Sequence, residues 1–148
     1  MKSFHFLLTF LAMGTIALAD STRLIDIEVI DPWVRAVPPS STATAAFMVI
    51  KNHGKAPAKL VGTSSPTSPD VRPMITTQKK VDGKEVAGME FVESFEIPAK
   101  GKRILEPGGD HIMIMQLKKV PKAGSTVSLL LKFLTPNPVN IEIQAPVR

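Results

Sequence analysis

Proline and glycine interrupt this chain so often that beyond its N-terminal stretch no helix longer than a turn can be read. All 13 prolines, and all but one of the 9 glycines, lie after residue 20. Between them stand short apolar or alternating runs, which is the rhythm of an all-β sandwich or barrel. Ile25-Asp26-Ile27-Glu28-Val29 alternates as a half-buried strand should. Asp31-Pro32 reads as a break before Trp33-Val34-Arg35-Ala36. Residues 45–50 read as a central strand ended by Asn52-His53-Gly54-Lys55, with Leu60-Val61-Gly62 as its continuation. Asp82-Gly83 is a two-residue hairpin turn, with arms over about 74–81 and 84–91. Strands are also expected at 94–98 and 102–105. After the turn Pro107-Gly108-Gly109, further strands are expected at 111–117, 125–133 and 139–143.

The N-terminal stretch has the pattern of a secretion signal: Lys2, an almost wholly apolar run over 4–18, then Ala17-Leu18-Ala19 as a small-x-small cleavage site. The run is short for a membrane span, which needs about 20 residues. Residues 1–19 are therefore expected to be a signal peptide cut before Asp20, and 20–148 a single β domain in the periplasm. That length can bury a sizeable core unaided. There is no cysteine, so disulfides, lipid attachment at a cysteine and thiolate redox chemistry are all excluded for this sequence. The formal charge is +5. Its lysines are scattered, and there is no tyrosine, so nucleic-acid binding is not expected. The lysines read first as a solvated positive surface; the sharper reading is that those near a site steer an acidic partner.

With no cysteine and only His53 and His111 beyond the leader, the chain's soft donors are its methionines. Met89 is followed by 21 residues and then His111-Ile112-Met113. His111 and Met113, two apart on a strand, project from one face. Met89 must come from another strand. Thioethers joined to one imidazole suit Cu(I) far better than zinc, calcium or magnesium. The turn at Asp82-Gly83 pairs Val81 with Lys84 and, further out, Thr76 with Met89. Met74 and Gln78, each two residues from Thr76, then point the same way. A one-residue slip would reverse this facing. Each methionine taken alone also reads as core filler. Met48 and Met115 are expected in the core, and His53 as an exposed turn residue.

The chain resembles the PCu(A)C periplasmic copper chaperones. The resemblance runs from Ile27-Glu28-Val29-Ile30-Asp31-Pro32-Trp33-Val34-Arg35-Ala36 through Ala46-Phe47-Met48-Val49-Ile50-Lys51-Asn52 and Leu60-Val61-Gly62-Thr63-Ser64-Ser65-Pro66. It is most specific in Glu96-Ile97-Pro98-Ala99 and Leu105-Glu106-Pro107-Gly108-Gly109-Asp110-His111-Ile112-Met113. That family's motif is His or Met, ten residues, Met, twenty-one residues, then His-x-Met. Met89, His111 and Met113 fall on its last three ligands. Gln78 stands where the first is expected, and an amide is a poor Cu(I) ligand. Allowing four extra residues in the hairpin places Met74 there instead and keeps the facing. The histidine- and methionine-rich tail of some relatives is absent, so a second, Cu(II)-type site is not supported.

The resemblance implies a cupredoxin-like Greek-key β-sandwich. It also implies a monomeric Cu(I) carrier that hands copper to an exported or membrane-bound acceptor, typically the dinuclear copper centre of a respiratory oxidase. The rival reading, favoured by Gln78, is a binding module of the same fold that has lost or weakened the metal. An enzyme is not expected. No nucleophile–histidine–carboxylate set can be defended, and Asp110 and His111, as strand neighbours, face opposite ways.

Overall fold

The computed structural model describes residues 25–148, so the expected leader lies outside the described residues. Ten strands follow in order: β1 (Ile27–Val34), β2 (Thr44–Asn52), β3 (Ala58–Ser64), β4 (Asp70–Val81), β5 (Lys84–Phe91), β6 (Phe95–Ile97), β7 (Lys102–Leu105), β8 (His111–Met115), β9 (Thr126–Leu134) and β10 (Pro138–Pro146). Among the described residues there is no helix. One sheet runs β1-β2-β8-β4-β5, with β7 on the other half of β2's edge; the second runs β10-β9-β3-β6. The chain crosses between sheets from β2 to β3, from β3 to β4, from β5 to β6, from β6 to β7 and from β8 to β9. The result is the expected antiparallel cupredoxin-like sandwich.

Alternating side chains fill the space between the sheets. Ala46, Met48, Ile50, Ile112 and Ile114 come from the first sheet. Leu60, Phe95, Leu129, Leu131 and Phe133 come from the second. Strand β9 shows the period of two plainly, with Val127, Leu129, Leu131 and Phe133 buried and their neighbours turned outward. Each fully buried branched or aromatic side chain contributes about 1.5–3 kcal/mol relative to exposure, which is how a chain without disulfides holds this fold.

Three local readings change. Asp31-Pro32 does not end a strand. β1 runs through it by a bulge, with Asp31 at φ 46° and the register against β2 shifting between Ile30 and Trp33. Proline is tolerated there because β1 lies at the edge of its sheet and the bulge removes the need for a ladder N–H. The segment around Leu60 does not continue β2; β3 starts the other sheet, pairing β6 and β9. Strand β8 ends at Met115 because Gln116 takes a positive φ of 50°, so Leu117 falls outside it. The hairpin has the expected register. Val81 pairs with Lys84 and Thr76 with Met89, and Asp82 and Gly83 both take positive φ (51° and 76°), as a type I′ turn demands.

Candidate metal centre

The pairing of β8, β4 and β5 decides which side chains meet. His111 is the Cα partner of Met74, Met113 that of Arg72, and Ile112 and Ile114 those of Pro73 and Val71. Directly paired residues share a face. Ile112 and Ile114 are fully buried in the core, so His111, Met113, Met74 and Arg72 stand on the outer face of the sheet. On β5 the partner of Met74 is Phe91, and that of Thr76 is Met89. The same face therefore carries Met89. The strand order places the imidazole on the central strand and the Met89 thioether two strands away, on the sheet's edge.

Met89, His111 and Met113 line one cavity of about 180 Å³, together with Thr76, Phe47 and Arg35. Among the described residues no carboxylate lines it, and its charged residue is the cationic Arg35. Nor do three His, Asp or Glu side chains come together anywhere among the described residues. Hard divalent cations, which favour carboxylates for both oxygen donors and compensating negative charge, find none here. The donors on offer are two neutral sulfurs and one imidazole.

The imidazole is held in a definite state. His111 is 5% exposed, and its Nδ1 lies 2.9 Å from the carbonyl oxygen of Gly109. A carbonyl only accepts, so Nδ1 is the donor here and Nε2 is the ring nitrogen left for a metal. A backbone carbonyl fixing the tautomer in this way is the usual support of a ligating histidine. The ring is flanked by Phe47 at 6.2 Å between centroids, which in turn meets Trp33 at 4.7 Å. On the far side, the Arg72 guanidinium stands 4.1 Å from the Phe91 ring centroid. Hydrogen bonds to both carboxylate oxygens of Asp70, at 2.7 and 2.8 Å, hold Arg72 there and push its pKa above the usual arginine value.

The methionines divide by surroundings. Met89 is 63% exposed, too open for core filler. β8 pairs with β4 only over residues 70–74, so beyond that point β4 and β5 pair only with each other as a two-stranded ribbon, half-buried over 75–77 and exposed from Gln78 onward. Met113 is half-buried at the cavity wall. Met74 is 8% exposed, beside His111 on the same face, but does not line the cavity. Gln78 is exposed on the ribbon, opposite Ala87, two residue pairs beyond the Thr76–Met89 pair and four beyond Met74. Met48 lies in the core at 2% exposure, as expected. Met115, expected in the core, is instead half-buried on the outer face opposite Asp70, because it shares the parity of His111. His53 sits in its turn with Nε2 2.7 Å from a Glu28 carboxylate oxygen. Sequence reasoning did not reach Thr76 or Gly109 as supports of the site. The Thr76 hydroxyl donates to the Gly109 carbonyl at 2.9 Å across 33 residues of chain, and no local signal announces that contact.

A family model, "Putative lipoprotein LpqE-like", matches residues 27–147. The "Putative lipoprotein Lxx21020" of Leifsonia xyli subsp. xyli is 37% identical over 107 residues, covering 72% of this chain and 61% of that protein. The chain thus spans less than two thirds of that relative's length. Among solved structures, apo-DR1885 from Deinococcus radiodurans is 33% identical, with a TM-score of 0.58 over 100% of this chain and 97% of that one. Its Cu(I) form is 35% identical, with a TM-score of 0.63 over 81% of this chain and 78% of that one. The copper-bound PCuAC domain of PmoF2 shares the fold, with a TM-score of 0.64 at 20% identity over 83% of this chain and 94% of that domain. On the match across nearly its whole β domain, this chain belongs to the LpqE-like family.

Proposed function

We propose that the protein is an exported Cu(I) carrier that binds the ion through Met89, His111 and Met113 and releases it to an extracytoplasmic acceptor. The observation that carries this reading is the convergence of two thioethers and one oriented imidazole on a single cavity free of carboxylates. Neutral soft donors retain a monovalent soft ion without needing to be deprotonated, apart from the histidine. Met74, the Cα partner of His111 on the same face, completes the set; Gln78 lies further along the exposed ribbon. The Cu(I) form of DR1885, at 35% identity, supports the choice of ion.

The arrangement suits a carrier better than an enzyme. Met89 is the exposed member, so an acceptor reaches and displaces it first while His111 and Met113 still hold. The acceptor we propose is an exported or membrane-bound copper protein, with the dinuclear copper centre of a respiratory oxidase as the instance the resemblance implies. The family's lipoprotein name supports export. The sequence has no cysteine to carry a lipid, so we take residues 1–19 as a cleaved signal and residues 20–148 as a monomeric periplasmic domain.

The test is competition for Cu(I) against a chromophoric chelator, with the wild-type domain beside a Met89→Ala, His111→Ala, Met113→Ala variant. Wild type should take one equivalent and the variant none. If the two compete alike, the carrier reading fails and the fold serves a binding module without metal.

A further inference from the structure

The Gly109 carbonyl oxygen accepts two hydrogen bonds, one from His111 Nδ1 and one from Thr76 Oγ1, each at 2.9 Å. A carbonyl has two lone pairs, so these donors saturate it. One donor belongs to the imidazole. The other belongs to the residue directly opposite Met89 in the β4–β5 ladder. Thr76 also lines the cavity, so its hydroxyl is spent on this carbonyl beside the ion's place.

We infer that Thr76 is a positioning residue of the metal centre, acting through Gly109 to fix the tautomer and direction of His111 and to hold the ribbon that carries Met89 against the loop before β8. This rests on the proposed Cu(I) site.

The geometry leaves little else to do this work. Beyond residue 74 no third strand pairs with β4, so no ladder bond joins Thr76 or Met89 directly to β8. The loop it must meet is itself braced. Gly109 N donates to Glu106 O, Glu106 N donates to Asp110 O, and Arg103 holds the Asp110 carboxylate at 2.7 Å. The Gly109 carbonyl is thus a fixed post on the β8 side, and Thr76 is the hydroxyl that reaches it from the ribbon side. Methionine 89 and histidine 111 are tied through one atom. Outer partners of this kind cost about 10–100-fold in metal affinity when removed.

The experiment compares Thr76→Val, which keeps the branched shape but deletes the hydroxyl, with Thr76→Ser, which restores it. Both are measured by Cu(I) competition and, without copper, by nitrogen-15 NMR of the His111 ring. Thr76→Val should weaken Cu(I) binding about tenfold, and in the copper-free protein its Nδ1–H should exchange faster with water. Thr76→Ser should return both readouts towards wild type. The inference is overturned if Thr76→Val leaves affinity and ring exchange unchanged, or if Thr76→Ser behaves like Thr76→Val, since only packing would then be at work. Should wild type itself fail to bind Cu(I), the carrier reading falls separately, and the copper-free ring spectrum still decides the role of Thr76.

Discussion

Strand β8 and the β4–β5 ribbon supply one site from opposite kinds of structure. β8 lies in the middle of its sheet, between β2 and β4. Its even-numbered residues Ile112 and Ile114 are fully buried between the sheets, while His111 is buried beside Phe47 on the other side. The ribbon lies at the sheet's edge and is exposed along nearly all of β5. Local opening is expected to be rare in the first region and easy in the second. A metal held by both is anchored at one end and accessible at the other. In the carrier we propose, retention and release thereby fall to different elements.

The sharpest way to break this contrast is to attack the anchor from behind. Ile114→Ala removes a fully buried side chain without touching the outer face. It should cost about 2–5 kcal/mol, read as a lowered denaturant midpoint. Any copper-binding loss should track unfolding rather than precede it. The opposite pattern follows from Met89→Leu. An exposed side chain of similar volume is exchanged, so the unfolding midpoint should stay within about 0.5 kcal/mol of wild type. Cu(I) affinity should fall by at least the roughly tenfold that lost outer partners already cost. If Met89→Leu binds copper like wild type, the accessible end of the site is not where we place it. The smallest effect is expected from Met74→Leu. A volume-conserving core exchange costs under about 1.5 kcal/mol, and loss of a fourth thioether should reduce affinity by less than about tenfold, or 1.4 kcal/mol. An unchanged Cu(I) affinity would remove Met74 from the ligand set and leave three.

The outcome for particular elements shows where sequence reasoning reaches. The β4–β5 hairpin was legible to the residue because a positive-φ dipeptide pins the register locally and a period of two carries it outward. That alone aligned Thr76 with Met89. Asp31-Pro32 misled because a proline marks the end of a strand and a bulge equally well, and only the position of β1 at an edge separates them. Met115 misled because it shares the face of His111, and on a strand apolar on both faces nothing local says whether that face is covered one step further along.

By itself the sequence determined the fold class, the two-residue turn and the soft character of the donors, because these rest on local backbone preference, alternation and side-chain chemistry. Only the tertiary structure decided that Met89 is exposed while Met74 is buried, and that the His111 proton sits on Nδ1. It alone decided that Thr76 and His111 share one carbonyl. These depend on which strands end up adjacent and where pairing stops. Such contacts join residues tens of positions apart, and no local preference along the chain encodes them.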